Sequence, residues 1–351
     1  MATVKLGDIA IEAKSSNKGD KTGIRIVGLE HLTPSNVTLS SWSEDTENTF
    51  TKEFSKGDVL FGRRRAYLKK AAVAPFDGIC SGDITVIRAI EDKIDPDLLP
   101  FIIQNDFLFE FAVGKSAGSL SPRVKWTHLK EFAIELPSMP EQSKLAETLW
   151  SINETKNAYE DLINKTDELA KSQFIEMFGD TESNPMGWKK SALKEICIGK
   201  LSYGSGAAAT EYDGETRYVR ITDITENGEL SNDVKSPNVI DEKYLLNEGD
   251  ILFARSGATV GKTLMYKAAY GRCIYAGFLI RLIPDTSRVL PDYVFGFTKS
   301  AFYEDFVRRT QRAVGQPNIN AQEYGDLKIC IPPMELQKQF AEFLHQNDKS
   351  K

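Results

Sequence analysis

The sequence predicts an α+β protein built twice on one plan. Three observations point there: an internal repeat, short strands ahead of a helix within each copy, and a long amphipathic stretch between the copies. The repeat rests on ordered matches. KGDVLF at 56–61 returns as EGDILF at 248–253, an offset of 192, and LPSM at 136–139 returns as IPPM at 331–334, an offset of 195. KLAE at 144–147 matches QFAE at 339–342, and Arg25-Ile26-Val27 matches Arg220-Ile221-Thr222, both again at 195. One such match is chance, but four in order make a duplication. The expected boundaries are a first globular domain at 1–137, a spacer helix at 138–180, a second globular domain at 181–334 and the start of a second helix at 335–351.

Within the first copy, β-branched or alternating runs at 24–27, 58–61 and 83–87 are bounded by Gly, Asp or Pro, which is strand punctuation. The second copy repeats this at 218–221, 250–253 and 278–283. One helix is expected to follow in each, at 97–113 after Asp95-Pro96 and at 292–309 after Pro291, since proline in a first helical turn forfeits no bond. A Gly/Ser/Asn-rich loop comes next (114–122, GKSAGSLSP; 315–320, GQPNIN), then a last strand running into Leu136-Pro137 or Ile331-Pro332.

After Pro140 the pattern changes. Leu145, Leu149, Ile152, Tyr159, Leu162, Ile163, Leu169, Phe174, Met177 and Phe178 recur mostly at steps of three and four, with no glycine or proline before Gly179. This predicts an amphipathic helix of about 34 residues, about 50 Å long, with a narrow stripe suited to a coiled-coil partner. Lys156, Thr166 and Ala170 interrupt the seam. The second copy starts alike with Leu336, Phe340, Phe343 and Leu344, and stops at Lys351, the counterpart of Lys156. A shortened second helix would leave Leu162, Leu169 and Phe174 with little cover, so self-association or a partner is expected.

Composition narrows the function. Of 351 residues, 41% are hydrophobic and 27% charged, which fits neither disorder nor a membrane protein. No apolar run approaches the roughly 18 residues a membrane span needs, and the first residues carry no basic start and apolar stretch of a secretory signal. Cys80, Cys197, Cys273 and Cys330 form no C-x-x-C pair, and His31, His128 and His345 share no ligand spacing. A cytoplasmic, metal-free protein is expected. The net charge of −6 sits in 138–183, which alone carries −6, whereas 1–137 carries −1 and 184–334 carries +1. Balanced domains still allow local basic patches, and these govern phosphate binding.

Two such patches recur. After the middle strand lie Arg63, Arg64, Arg65, Lys69 and Lys70 in the first copy, and Arg255, Lys262 and Lys267 in the second. Guanidinium forks suit phosphate and guanine edges. The loop after the helix holds Lys115, Ser116, Ser119, Ser121, Arg123 and Lys125 in one copy, and Arg308, Arg309, Arg312, Gln316, Asn318 and Asn320 in the other. Amide side chains match adenine edges, and Ser and Lys suit phosphates. The bland alternatives are a solvated face and a turn that satisfies its own backbone. Ser256, Thr259, Lys262 and Thr263 belong to SGATVGKT at 256–263, which is near a phosphate-binding loop except that Ser256 stands where the first glycine belongs. The other copy has GRRRAY there, and the residues that follow lack a helical period. Asn184-Pro185-Met186-Gly187 lacks the second proline and the aromatic of a methyltransferase loop. No catalytic or metal residues are therefore assigned.

Taken together, KLGDIA and ALKEIC opening the halves, the Gly-Asp-x-Leu-Phe strand, ARSGATVGK, GQPNIN and the Pro-Pro-x-x-x-Gln lead into a helix resemble the specificity subunit of type I restriction-modification systems. That resemblance covers nearly the whole chain. It implies two tandem pseudo-symmetric target recognition domains separated by long coiled-coil-forming helices, reading a split double-stranded DNA target. It also implies methyltransferase and restriction subunits as partners, with S-adenosylmethionine bound by the methyltransferase partner and not by this chain. The first half departs from the pattern, with FGRRRAYLKK in place of ARSGATVGK. The rival readings are a nucleotide-dependent enzyme using 256–263 and a helical scaffold that binds only proteins.

Overall fold

The chain opens on β1 (Ala2–Lys5), the single turn α1 (Leu6–Ile9) and β2 (Ala10–Glu12), followed by β3 (Ile26–Val27), β4 (Lys52–Phe54), β5 (Val59–Gly62), β6 (Ala71–Val73), β7 (Gly78–Cys80) and β8 (Ile84–Ala89). Helices α2 (Leu99–Ile103), α3 (Asp106–Gly114) and α4 (Trp126–Leu129) lead to β9 (Ala133–Leu136) and then to α5 (Met139–Phe178). This computed structural model describes residues 2–44, 47–118, 120–311 and 317–348. Contacts divide the chain into two units, Met1–Tyr159 and Glu160–Lys351.

In the first unit the central sheet runs β2-β8-β5-β6, with a second sheet β3-β7-β4 beside it. Strand β5 is apolar at every position because both its faces are covered. Val59 and Phe61 point to the helices and pack with Leu6, Ile103 and Phe109, while Leu60 points the other way onto Val27, Phe54 and Cys80. Gly57 ahead of it has φ of 90°, a left-handed turn that a side chain would strain.

The second unit follows the same plan with one strand more ahead of its helices: β10 (Lys189–Ala192), β11 (Ser202–Tyr203), β12 (Ala209–Glu211), β13 (Arg217–Val219), β14 (Lys235–Pro237), β15 (Ile251–Ala254), β16 (Thr263–Met265), β17 (Cys273–Tyr275) and β18 (Leu279–Leu282), with pairs β13-β17 and β12-β14 in place of the β3-β7-β4 sheet. Helices α6 (Pro291–Phe297), α7 (Ala301–Thr310) and α8 (Ala321–Asp326), strand β19 (Lys328–Ile331) and helix α9 (Met334–Asp348) complete it. Sheet order β11-β18-β15-β16 matches the first unit, and Ile251 and Phe253 face one core while Leu252 and Ala254 face another.

Three expectations need correction. Each single helix is two: the runs at 97–113 and 292–309 break where Asn105 and Ser300 cap a new helix, accepting bonds from the Phe107 and Tyr303 amides. The match of Arg25-Ile26-Val27 to Arg220-Ile221-Thr222 is out of register. Val27 pairs with Cys80 as Val219 pairs with Tyr275, so the equivalents of Ile26 and Val27 are Tyr218 and Val219. Phe174 is not left uncovered. It is 2% exposed, packed against Phe178, Tyr293 and Phe340 in the second unit's core; Met177, Leu336 and Leu344 pack against the same cluster.

Helix α5 has 40 residues, longer than expected, because it starts at Met139, where the Ser138 amide and hydroxyl both donate to Glu141. Its first turns are held by Gln142, 3% exposed, which accepts from the Asp95 amide at 3.0 Å and donates to the Pro137 carbonyl at 3.1 Å. Gln337 does the same on α9. It is fully buried, accepting from the Leu290 amide and donating to the Arg288 and Pro332 carbonyls. Trp150 adds a bond to the Asp97 carbonyl and an edge contact with Phe101. Leu149 and Ile163 are half-buried, while Leu145, Ile152, Tyr159, Leu162 and Leu169 stay 43–60% exposed.

Candidate nucleic-acid interface

Both predicted basic loops meet at the end of the central sheet. In the first unit Arg63 continues β5; its amide donates to the Asp83 carbonyl at 3.0 Å, and its carbonyl accepts from the Val124 amide at 3.0 Å. The β5–β6 loop and the post-helix loop are thus stitched together, and Arg64 and Arg123 lie across a β-bridge. The second unit reproduces the stitching. The Arg255 amide donates to the Phe278 carbonyl at 3.0 Å, its carbonyl accepts from the Ile319 amide at 2.9 Å, and Ser256 bridges Asn318.

Arg63 and Arg255 therefore hold the same position. Each is half-buried, and in each the guanidinium Nε is buried without a hydrogen-bond partner. A buried donor left unmade costs about 1–3 kcal/mol; Arg217 and Arg281 carry one too, but at Arg63 and Arg255 it recurs at equivalent positions of the two basic loops. Arg255 also lies over the Tyr203 ring at 4.7 Å, a residue the sequence reading did not single out.

The remaining candidates divide by what already occupies them. Arg64 donates from Nε to the Ser121 hydroxyl at 2.6 Å and faces Asp83 at 3.5 Å; Arg123 donates to Asp83 from Nε at 2.7 Å and Nη2 at 3.2 Å. The Asp83 carboxyl is held below its ordinary range, chiefly by the Arg123 hydrogen bond. Lys69 pairs with Asp106 at 2.6 Å and Lys70 donates to the Leu29 carbonyl. Arg65 is exposed in a left-handed conformation, with φ of 54°. Lys115 and Lys125 are exposed, and Ser116 donates back to the Ala112 carbonyl. In the second unit Lys262 pairs with Glu226 at 2.8 Å and Thr259 donates to the Ser256 carbonyl. Asn318 faces Arg255 Nη2 at 3.5 Å. Asn320 caps α8, accepting from the Gln322 and Glu323 amides. Arg312, Gln316 and Ser119 lie outside the described residues.

The resemblance of 256–263 to a phosphate loop ends at its geometry. Gly257–Thr259 is a 3-10 turn, Thr263 opens strand β16 rather than a helix, and its hydroxyl bonds the buried Thr298 hydroxyl at 2.7 Å. The segment is a hairpin connection, with β15 and β16 antiparallel. Beside it, a cleft of about 1000 Å³ is lined by Lys171, Lys262, Phe295 and Lys299. Burial lowers the Lys299 ammonium to a pKa of about 8, and the ammonium lies over the Phe295 ring at 4.8 Å.

A domain present twice, each copy clipped to the helix that follows it by a buried glutamine and each holding an arginine with an unmet Nε donor at one point of its sheet, defines a tandem-repeat protein with two equivalent basic rims. The family model of the type I restriction modification DNA specificity domain matches residues 1–168 and again 185–351. The chain belongs to that family. Among similar proteins, the type I restriction enzyme EcoDI specificity subunit of Escherichia coli is 29% identical over 146 residues, 38% of this chain and 31% of that protein. The MjaIX specificity subunit of Methanocaldococcus jannaschii is 23% identical over 313 residues, 82% of this chain and 70% of that one. The match to the first of these spans about a third of that relative's length. In fold, the chain resembles the type I restriction-modification S subunit from M. genitalium, with a TM-score of 0.58 at 14% identity, covering 99% of this chain and 89% of that one. Among the described residues no helix is long and apolar enough to cross a membrane.

Proposed function

We propose that this chain is the DNA-reading, non-catalytic subunit of a cytoplasmic type I restriction-modification complex. Residues 1–137 and 181–334 each read one part of a bipartite double-stranded target, and 138–180 with 335–351 form the platform for methyltransferase and, in the larger complex, restriction subunits. The methyltransferase partner holds S-adenosylmethionine and performs the chemistry. The observation that carries this reading is the recurrence of Arg63 and Arg255, each with an unmet buried donor at the equivalent rim of its sheet. Both side chains are only half-buried, so phosphate and base edges can accept from their remaining guanidinium nitrogens. The acidic segment 138–183 suits a spacer that stands off the phosphates. Exposed Leu145, Ile152 and Tyr159, and Leu162 and Leu169, recur at steps of seven and offer a partner helix an apolar seam.

Methylome sequencing of cells carrying the chain with its partner methyltransferase tests this. A split motif with an unread gap is expected, and exchanging 1–137 for another reader should alter one half of it. A continuous motif, or a change in both halves, refutes the two-reader arrangement. Light scattering of the free chain at tens of micromolar should show self-association through the seam; a strict monomer counts against it.

A further inference from the structure

The two rims share a frame and differ in what the frame displays. Gly62 pairs with Ile84 and Ala254 with Leu279, so Asp83 and Phe278 occupy one position. The bridges Arg64 to Arg123 and Ser256 to Asn318 fix two further equivalences. One set of three positions therefore carries Arg64, Asp83 and Arg123 in the first domain and Ser256, Phe278 and Asn318 in the second.

In the first set the carboxylate holds both guanidiniums by their inner edges. Asp83 takes Arg123 through Nε and Nη2 and faces Arg64 Nη1, while the Ser121 hydroxyl takes Arg64 Nε. The arginine side chains remain 40% and 43% exposed, against 21% for Asp83. Arg123 Nη1 and Arg64 Nη2 have no hydrogen-bond partner among the described residues, and both side chains reach solvent. Two like charges this close would splay apart without the carboxylate, leaving cations able to meet phosphates but with no fixed fork. The fork fits guanine O6 and N7. In the second set Ser256 is buried, Phe278 is 60% exposed and Asn318 offers an amide. An exposed aromatic beside an amide suits an A·T pair, through the thymine methyl and the adenine edge.

We propose that these three positions set the base class each domain reads: Asp83 is a positioning residue that makes Arg64 and Arg123 guanine readers, and Phe278 gives the second domain an A·T preference at the equivalent point. This rests on the DNA-reading function proposed above.

The test uses the full chain with its methyltransferase on a library with randomised target bases, alongside affinity for a scrambled duplex and thermal melting. D83N and R123K should each lower discrimination for one guanine in one half-site by about tenfold, within the 5- to 150-fold that a bidentate pair supplies. Scrambled-DNA affinity should stay within about twofold. F278A should weaken an A·T preference, about fivefold, in the opposite half-site only. R123K retains the charge, so it carries the test if D83N melts early. Unchanged base preference in both D83N and R123K, or loss on cognate and scrambled DNA alike, overturns the positioning role. No guanine in the half-site that D83N affects also overturns it. A wild-type complex without any sequence preference would instead sink the DNA-reading function itself, and this inference with it.

Discussion

Gln142 and Gln337 perform one task in the two domains, clipping a helix to the loop ahead of the preceding helix pair, whereas Asp83 and Phe278 share a position and have nothing chemical in common. The difference separates what holds a domain from what it shows. Internal bonds that close the frame tolerate one solution, and so the glutamines recur 195 residues apart. The rim position is not held by the frame in this way: Asp83 spends its carboxylate on Arg64 and Arg123, and Phe278 has no polar side-chain group to spend. Gln104 and Lys299 form an intermediate case. Both precede the residue that caps the second helix, Asn105 or Ser300. Gln104 donates to the Asn36 and Ala71 carbonyls, while Lys299 places an ammonium at the equivalent half-buried position over the Phe295 ring.

The largest effect should come from the clips. Gln337→Ala strands three bonded groups and should cost about 3 kcal/mol, and Gln142→Ala, with two bonds, about 2 kcal/mol; denaturant unfolding checks this, and equal losses would break the ranking. Next, Arg63→Ala and Arg255→Ala should weaken cognate binding by similar amounts, about 2 kcal/mol each. A loss confined to one of them, measured by titration with labelled duplex, would end their equivalence. Lys299→Gln imports the first domain's solution and should stabilise the second unit by about 1–2 kcal/mol at pH 7 after allowance for partial exposure. The sign follows from a folded-state pKa of about 8 below the ordinary 10.5. The folded protein sheds the proton first, so the wild-type penalty is full below about pH 8 and fades as pH rises toward 10.5. The variant's gain should fade over the same window, and a gain that does not change with pH would refute the burial account. Smallest is Lys262→Ala. Glu226 already neutralises Lys262, so the salt dependence of DNA binding should move by well under the one unit expected of a phosphate contact.

Much of the frame was legible in sequence because it is written locally. Strands β5 and β15 are continuous apolar runs bounded by Gly-Asp turns, and two-sided burial allows no alternation. The helix breaks were hidden because Asn105 and Ser300 are ordinary polar residues until the backbone around them turns. The misplaced match at 25–27 shows the same limit. Three similar letters outweighed a register that only the parallel pairing to β7 and β17 defines. At the rim, the arginines were visible as a run, but Asp83 was not, since its partners lie 19 and 40 residues away. Tyr203 was missed for a similar reason: it meets Arg255 only once β11 joins the sheet beside β18.

Each domain begins and ends on neighbouring strands, β1 with β9 and β10 with β19, paired residue for residue from Ala2 opposite Leu136 and from Lys189 opposite Ile331. To the helix that follows, everything between those strands is a single large loop tied at its neck. The second loop is longer than the first, yet it closes on the same kind of antiparallel pair. Heredity gains from that closure. A crossover that falls within the two neck strands can replace everything between them, of whatever length, and return the chain to the strand that leads into its helix.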